Sequence, residues 1–259
     1  MKADLQIVAG LIGYPLSHSF SKGYFTEKFV KEGIEGYVYE NFEISNIDSL
    51  RDIIAKNPGL IGLNVTIPYK ESVITHIDEL SPEARRIGAV NTILVERRGK
   101  NTRLTGHNTD YIGFGKSLDV LIQRKPEGAL VLGTGGASKA VRFVLEKRGI
   151  RNIVVSRNPV SGQLSYNEVT GKTLAEYPLI INTSPVGMYP EVNNKPDIPY
   201  DALGPGNYLF DLIYNPEKTR FLEEGEKAGS KIFNGLKMLI EQAEASWDLW
   251  SGEMQGSIS

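Results

Sequence analysis

The sequence predicts an α/β protein with mostly parallel sheets, organised as two units of that class. Strand-like apolar runs alternate with helix-like patterns along the chain, an order that produces parallel strands joined by helices. The pattern begins anew near Thr109, where a helix leads into a fresh buried strand at Gly128. A length of 259 residues accommodates between one and two ordinary domains, which run roughly 100–200 residues each.

Composition excludes several kinds of function. Charged residues make up 23% of the chain and the formal net charge is −2, so binding to nucleic acid or to an anionic membrane is not supported. With no cysteine and three scattered histidines, the chain lacks thiolate nucleophiles and cysteine-based zinc sites, and we predict no metal. Residues 1–13 do not resemble a secretory signal, and no run reaches the ~18 apolar residues that span a bilayer. We therefore expect a cytoplasmic protein.

Three apolar runs in the first part of the chain predict buried strands: Leu5–Leu11, Tyr37–Phe42 and Leu60–Val65. Between them, apolar residues at helical spacing predict one helix from Ser19 onward and a second one near Ile47–Ile54. The second helix ends at Asn57-Pro58-Gly59, because these residue types interrupt helices. Strands and helices therefore alternate from the start of the chain.

A capped helix and a hairpin complete the first part. Ser81-Pro82-Glu83 is typical of a helix start, since a serine hydroxyl caps free N–H groups and proline fits the first turn. Val90–Glu96 and Arg103–Thr105 predict two strands that turn around Gly99. We place the end of the first domain near residue 108.

The second part repeats the alternation. A helix at about 110–123 precedes the strand that begins at Gly128, and a helix at about 137–147 follows a glycine-rich turn. Tyr189–Gly206 is rich in proline and predicts a long irregular loop. Further strands are predicted at Ile153–Val155, Leu179–Asn182 and Tyr208–Ile213. A last helix, from Gly235 to about Trp250, places these apolar residues on one face: Leu236, Leu239, Ile240, Ala243 and Trp247.

The glycine-rich turn is the first candidate site. The strand Leu130-Val131-Leu132 runs into Gly133-Thr134-Gly135-Gly136-Ala137-Ser138 and then into a helix. Glycines permit a tight turn and let the backbone approach a diphosphate, whose charge faces the N–H groups at the helix N-terminus. This spacing predicts a Rossmann-like dinucleotide site, and its alternative is a glycine turn that only joins a strand to a helix.

The end of the next strand indicates which dinucleotide binds. Ile153–Val155 is followed by Ser156-Arg157-Asn158. An NAD site usually carries an acidic residue at this point, where it holds the ribose 2′-hydroxyl. The chain has Arg157 instead, a planar donor that suits a 2′-phosphate. We therefore predict NADP, with Ser156 and Asn158 as helpers.

Seven further motifs, in order along the chain, support a family resemblance. They are Pro15–Ser21, Asn64–Lys70, Gly88–Thr92, Gly106–Asp110, Asn182–Ser184, Asp211–Pro216 and Asn234–Leu239. Together with the glycine turn, they closely resemble the shikimate dehydrogenase family over essentially the whole length. The resemblance implies a substrate domain at 1–108 completed by a returning helix at 235–259, and an NADP-binding domain at 109–234.

The resemblance also assigns the substrate carboxylate to Ser19 and Ser21. Hydroxyl donors at a helix N-terminus form an anion site, and one of them can cap the helix at the same time. Ser17 offers a second serine pair with Ser19, but alignment through Pro15–His18 favours Ser19 and Ser21. Many family members have proline where this chain has Lys22.

The ring hydroxyls and the cofactor complete the implied site. Thr66, Asn91, Asp110 and Gln242 are implied to hold the hydroxyls, with Tyr214 nearby. Such a polar site rejects analogues that lack the hydroxyls. Thr183, Leu212 and Gly235 join the glycine turn in binding the cofactor.

Lys70 and Asp110 are the predicted catalytic residues. Reduction of a carbonyl needs a hydride from the cofactor and a proton for the oxygen as it becomes an alkoxide. A lysine ammonium can stabilise that negative charge and donate the proton, and the amine accepts it in the reverse direction. Most lysines are solvated surface charges and Asp110 can equally be a first-turn helix acid, so both alternatives stand beside the catalytic one.

Three functions remain open at this point. The first is an NADP-dependent shikimate dehydrogenase, a monomer or homodimer that acts on a small molecule. The second is an NAD-linked quinate/shikimate dehydrogenase, which the missing acid after Ile153–Val155 disfavours. The third is a non-catalytic dinucleotide-binding sensor, which the presence of both Lys70 and Asp110 disfavours because a binder needs no proton donor.

Overall fold

The computed structural model describes residues 6–16, 20–99 and 101–252. The chain divides into two compact units, the first made of residues 1–109 and 243–259 and the second of residues 110–242. Each unit is built around its own six-stranded sheet. Within the described residues, no helix is both long and apolar enough to cross a membrane.

The first unit contains a mixed sheet with the strand order β2-β1-β3-β5-β6-β4. Its strands are β1 (Ile7–Gly13), β2 (Tyr37–Glu43), β3 (Leu60–Val65), β4 (Glu79–Leu80), β5 (Thr92–Arg98) and β6 (Asn101–His107). Its helices are α1 (Phe20–Lys31), α2 (Leu50–Lys56) and α3 (Pro82–Ile87). β1 runs parallel to β2 and β3, whereas β5 runs antiparallel to β3 and β6. Carboxyl ends of β1, β3 and β6 therefore share one edge with the start of β5.

Helices cover both faces of this sheet. On one face, Leu50 and Ile54 of α2 belong to a buried cluster with the inward side chains of the strands. On the other face, Phe25 and Phe29 pack with the two tryptophans of the last helix, α8 (Leu236–Ser251). Burial of this apolar area stabilises the unit by about 25 cal/mol per Å².

Gly62 of β3 shows how closely the end of α8 approaches the first sheet. A Cβ at Gly62 would lie 2.0 Å from Nε1 of Trp250, and this nitrogen donates a hydrogen bond of 3.1 Å to the carbonyl of Ile93. Any side chain at Gly62 would displace the indole, so a larger residue is excluded at this position.

The second unit has a fully parallel sheet with the order β12-β11-β10-β7-β8-β9. Its strands are β7 (Gly128–Leu132), β8 (Arg151–Val155), β9 (Gln163–Leu164), β10 (Leu179–Asn182), β11 (Tyr208–Asp211) and β12 (Lys231–Phe233). Its helices are α4 (Asp110–Leu121), α5 (Gly136–Lys147), α6 (Gly171–Glu176) and α7 (Arg220–Lys227), with the first part of α8. The strand order is that of a doubly wound dinucleotide-binding fold, which changes direction between β7 and β10.

Most predicted elements lie where the sequence indicates. β3 has the predicted limits, Ser81 caps α3 through a 3.2 Å bond from the N–H of Ala84, and Gly99 adopts a φ of 63° in the β5–β6 turn. Leu5 and Ser19, the predicted first residues of a strand and a helix, lie outside the described residues.

Other predictions need correction. The predicted apolar face of the last helix is wrong at Leu236, which is 40% exposed, whereas Met238 and Trp250 are buried. The prediction also missed α6 and α7, and the short strands β4, β9 and β12. These strands have only two or three residues each, too few to show a period.

Candidate functional site

The glycine turn lies at the carboxyl end of β7, beside the point where the strand order reverses. Gly133 has a φ of 116°, a region that favours glycine. A Cβ there would lie 2.8 Å from the hydroxyl of Thr183. The N–H of Gly133 donates to the carbonyl of Val155, and the Ser138 hydroxyl donates to the carbonyl of Gly133 at 2.8 Å. The turn is thus held from both sides.

The helix after this turn has the features of a phosphate site. α5 begins at Gly136, with Gly135 as its N-cap. Thr134 and Gly135 are exposed, and Gly136 and Ala137 are half-buried. The first N–H groups of a helix have no partner within the helix, and its dipole favours negative charge. A diphosphate can therefore approach this backbone.

The predicted 2′-phosphate residues lie on the neighbouring strand. Val155 of β8 is the register partner of Leu132 of β7, so Ser156 follows β8 at the same edge where the glycine turn follows β7. The Ser156 hydroxyl accepts a 3.1 Å bond from the N–H of Asn158. Arg157 is exposed, and its guanidinium is accessible to a ligand.

The other predicted cofactor residues meet at the same edge. The Thr183 hydroxyl donates to the carbonyl of Leu132 at 2.8 Å, and the N–H of Leu212 donates to the carbonyl of Asn182 at 3.0 Å. Gly235 is buried so close to Leu212 that a Cβ would lie 2.0 Å from the Leu212 oxygen. Thr183, Leu212 and Gly235 therefore follow three neighbouring strands and converge, as a dinucleotide site requires.

In the first unit, the segments that carry Thr66, Lys70 and Asn91 are hydrogen-bonded to one another. The N–H of Val65 donates to the carbonyl of Asn91 at 2.8 Å, and the N–H of Val90 donates to the carbonyl of Lys70 at 2.7 Å. Thr66 and Lys70 are half-buried and Asn91 is buried. These three predicted residues are brought together at one edge of the first sheet.

A buried polar network lies directly behind Asn91. The Asn91 Oδ1 atom accepts the N–H of Thr109 at 2.6 Å, and its Nδ2 donates to the Thr109 hydroxyl at 3.0 Å. The hydroxyls of Thr92 and Thr109 lie 2.9 and 3.1 Å from Oγ of Ser246 on α8. Asn64 donates to the same Oγ at 2.9 Å. The amide of Asn91 is therefore held in one orientation.

Tyr39 lies between Ser21 and this network. Its hydroxyl donates to Oδ1 of Asn64 at 2.8 Å, and the Ser21 side chain lies close enough to that hydroxyl to affect its pKa. Tyr39 is buried, and burial raises the pKa of its hydroxyl, so it stays a neutral donor. Ser17 and Ser19 lie outside the described residues, as does His18.

The remaining predicted residues belong to the second unit. Asp110, the first residue of α4, is 4% exposed and Gln242 on α8 is 8% exposed. The two helices approach closely, because a Cβ at Gly113 would lie 2.4 Å from the Met238 carbonyl and 3.1 Å from Cβ of Gln242. Tyr214 is half-buried, and burial raises its pKa. Gln242 is therefore a buried residue rather than an exposed one on the surface of α8.

Sequence reasoning missed Tyr39 and Ser246. Ser246 lies 182 residues from Asn64 along the chain, and Tyr39 occupies an ordinary strand position. The one signal in the sequence is that Ser246 is a polar residue among the apolar residues on one face of α8, and that face is buried. In the part of the chain that the structure describes, no group of three or more His, Asp or Glu side chains could hold a metal ion.

Comparisons with known proteins identify the family of this chain. A family model described as the shikimate dehydrogenase substrate binding domain matches residues 11–93. The shikimate dehydrogenase (NADP(+)) of Methanococcus vannielii is 38% identical, with 95% of this chain and 92% of the relative covered. The solved structure of shikimate 5-dehydrogenase from Thermus thermophilus, in complex with NADP(H) and shikimate, is 32% identical with a TM-score of 0.83, and the match covers 95% of this chain and 94% of that one.

A solved structure with a different activity is similar in fold. Quinate dehydrogenase from Corynebacterium glutamicum, in complex with NAD, has a TM-score of 0.82 over 95% of this chain and 94% of its own, but only 25% identity. The fold alone therefore does not separate the two activities, whereas the sequence is nearer to the shikimate enzymes. On the identity and coverage of these relatives, the chain belongs to the shikimate dehydrogenase family.

Proposed function

We propose that this protein is an NADP-dependent shikimate dehydrogenase, which catalyses the reversible reduction of 3-dehydroshikimate to shikimate in aromatic amino acid biosynthesis. The observation that carries the proposal is the 38% identity to the Methanococcus vannielii enzyme over 92% of its length. The Thermus thermophilus structure adds that a chain of this fold holds both NADP(H) and shikimate.

The cofactor would lie along the carboxyl edge of the second sheet. The diphosphate is assigned to Gly133–Ala137, because the first N–H groups of α5 have no partner within the helix and favour an anion. The 2′-phosphate is assigned to Arg157, supported by Ser156 and Asn158. Thr183, Leu212 and Gly235 are the proposed contacts of the other half of the dinucleotide. When bound, NADPH supplies the hydride.

The substrate would bind at the edge of the first sheet. Ser21, with Ser19, is the proposed anchor of the carboxylate, and the Ser21 side chain lies beside the Tyr39 hydroxyl. Thr66 and Asn91 are the proposed partners of ring hydroxyls, together with Gln242 and Tyr214. Because the buried network fixes the amide of Asn91, this residue would recognise a hydroxyl at one position rather than adapt to several.

The proton is assigned to Lys70. Its ammonium would donate the proton to the carbonyl oxygen of 3-dehydroshikimate as negative charge forms there, and the amine would accept it from the hydroxyl in the reverse direction. Asp110 is the second proposed catalytic residue, whose carboxylate can accept a hydrogen bond from a hydroxyl or an ammonium. Backbone bonding of Lys70 to Val90 at 2.7 Å holds the lysine near Asn91.

An absorbance assay at 340 nm tests the proposal. Purified protein is mixed with shikimate and either NADP+ or NAD+, and the same pair is repeated with quinate. We expect rapid reduction of NADP+ with shikimate and weaker use of NAD+. A higher kcat/KM with NAD+ and quinate would favour the second candidate, an NAD-linked quinate/shikimate dehydrogenase. The similar fold of the Corynebacterium glutamicum enzyme is the reason to test this candidate.

Domain limits and assembly complete the proposal. The substrate domain is assigned to residues 1–108 and 235–259, and the cofactor domain to residues 109–234. A monomer or homodimer in the cytoplasm stays a prediction, which size-exclusion chromatography with light scattering and cell fractionation would test.

A further inference from the structure

Asn182 and Asp211 close the ends of two neighbouring strands in the second unit. They are the last residues of β10 and β11 and are partners in the parallel register. Both side chains are fully buried. In a doubly wound sheet, each half binds one mononucleotide of a dinucleotide at the carboxyl ends of its strands. The pair therefore lies beneath the half of the site that is opposite the glycine turn and Arg157.

Asp211 holds the loop after β11 at two points and also bonds Asn182 at the end of β10. Its Oδ1 atom accepts the N–H of Ile213 at 3.1 Å and the amide of Asn182 at 3.0 Å. Its Oδ2 atom accepts the hydroxyl of Thr219 at 2.6 Å. Thr219 is also the N-cap of α7. One carboxylate thus sets both the beginning and the end of the segment that carries Leu212 and Tyr214.

Asn182 holds the loop after β10 in the same way. Its Oδ1 atom accepts the N–H of Ser184 at 3.1 Å and the Ser184 hydroxyl at 2.7 Å. Its Nδ2 atom donates to the carbonyl of Val186 at 3.2 Å as well as to Asp211. Thr183 lies inside this loop. The two side chains therefore join the two loops to each other.

A buried polar pair is not the most stable way to fill this position in the sheet. Within the described residues, Asp211 is held by three neutral donors and forms no ion pair. Burial raises the pKa of Asp211 to about 7, against the effect of those hydrogen bonds. An apolar residue would fill the same space without the loss of hydration. The observed pair instead defines the shape of the two loops.

We propose that Asp211 and Asn182 are positioning residues of the cofactor site, which set the loops of Thr183 and Leu212 against the nicotinamide half of NADP. The proposal rests on the proposed function, since it requires NADP at the carboxyl edge of this sheet. Neither buried side chain would touch the cofactor, and each acts through the loop backbone that it bonds.

The test compares two ligands that share one half. NADP+ contains the nicotinamide half, and adenosine 2′,5′-bisphosphate lacks it. Asp211→Ala should raise the Kd of NADP+ by about tenfold, the equivalent of one or two lost hydrogen bonds. The Kd of adenosine 2′,5′-bisphosphate should stay within about twofold, because distant sites behave independently. Isothermal titration calorimetry measures both constants, and the KM of NADP+ should rise while that of shikimate does not.

Asn207→Ala is the matched control at the other end of β11. Asn207 is also buried, donates to the carbonyl of Leu174 at 3.2 Å and accepts the N–H of Gly204 at 3.0 Å. It should lower the Tm as Asp211→Ala does, yet leave both dissociation constants unchanged. Asp211→Asn should recover most of the NADP+ affinity, since its amide oxygen can still accept the N–H of Ile213.

Asn182→Ser replaces Asp211→Ala in the same comparison if the alanine variant does not fold. Equal binding of both ligands by wild type and variant would overturn the positioning role, and so would an equal loss for both ligands. A wild-type protein that neither binds NADP+ nor oxidises shikimate would instead contradict the proposed function on which this inference rests.

Discussion

The two sheets differ in the chemistry of the edges at which the candidate sites lie. In the first unit, the edge is built from side chains: Asn64, Thr92 and Thr109 are hydrogen-bonded to Ser246 behind it, and Asn91 is hydrogen-bonded to Thr109. In the second unit, the edge is mostly backbone, with glycines at the close approaches and a few side chains that tie one loop to another. An edge of fixed side chains suits a small polyhydroxylated molecule, and an edge of N–H groups suits phosphates.

This difference indicates which substitutions in each unit should change activity or binding. Removal of a side chain in the first unit should change which small molecule is accepted and how fast it reacts. At the carboxyl edge of the second sheet, most side chains should tolerate substitution, and only those that touch a charged group or shape a loop should affect binding. The following predictions sharpen that contrast or contradict it.

The largest effect is expected at Lys70. Lys70→Ala should lower kcat by about 10²- to 10⁴-fold, the scale of general acid–base catalysis, while the KM of shikimate changes far less. Steady-state assays at 340 nm check both constants. Lys56→Ala, an exposed lysine at the end of α2, is the control. A folded Lys70→Ala protein with near-normal kcat would remove the lysine from the mechanism.

Asp211 should make the stability of the second unit depend on pH. Burial raises the pKa of Asp211 from 3.8 to about 7. The contribution of Asp211 to stability is therefore greatest below pH 3.8, where its carboxyl is protonated in both the folded and the unfolded state. This contribution is lost as the pH rises towards 7. The loss is on the order of 4 kcal/mol at most. Urea unfolding of wild type and Asp211→Asn across this range measures it. A constant difference between the two proteins would contradict the raised pKa.

Arg157 should set the preference for NADP. One charge-assisted contact is worth about 1.5–3 kcal/mol, or about 10- to 150-fold. This chain has Ser161 rather than a second basic residue four positions on, so the margin over NAD should be smaller than with two cations. Arg157→Ala should weaken NADP and spare NAD in kcat/KM. Arg151→Ala, at the other end of β8, should leave the ratio unchanged, and wild-type use of NAD at an equal rate would overturn the assignment.

Ser21 should act on substrate binding alone. Ser21→Ala is expected to raise the KM of shikimate by about tenfold or more, since a bond to a carboxylate is worth about 1.5–3 kcal/mol. The KM of NADP+ should stay unchanged, because the cofactor residues belong to the other unit. Thr26→Ala removes a hydroxyl from the same helix as a control. A larger defect from Ser17→Ala would show that the serine frame is wrong.

Ser246 is expected to give the smallest effect. Ser246→Ala leaves Asn64 and two threonine hydroxyls without one partner, which should lower the free energy of unfolding by about 1–3 kcal/mol. A modest rise in the KM of shikimate should accompany it, because Asn91 is less firmly held. Ser251→Ala, an exposed serine on the same helix, should change neither quantity. An unaffected stability would show that the network relaxes around the loss.

Local patterns predicted much of the fold. Leu60–Val65 is apolar throughout most of its length and forms β3 as expected, and the glycine turn predicted both the end of β7 and the start of α5. β4, β9 and β12 were missed, since strands of two or three residues carry no period and form only through pairing with a neighbour. The prediction that Leu236 lies on the buried face of α8 was wrong because that face is also decided by contacts with distant residues. α8 is apolar around much of its circumference, so its sequence does not say which side is covered.

By itself, the sequence determined the α/β class, the glycine turn with Arg157 after it, and the motifs of the family, which include Lys70 and Asp110. These depend on neighbouring residues, whose spacing is written in the chain. Only the tertiary structure decided the strand order of each sheet, the place of Tyr39 and Ser246 behind Asn91, and the pairing of Asn182 with Asp211. Such contacts join residues distant in sequence, and hydrogen bonding between them depends on register and close approach, which no local pattern encodes.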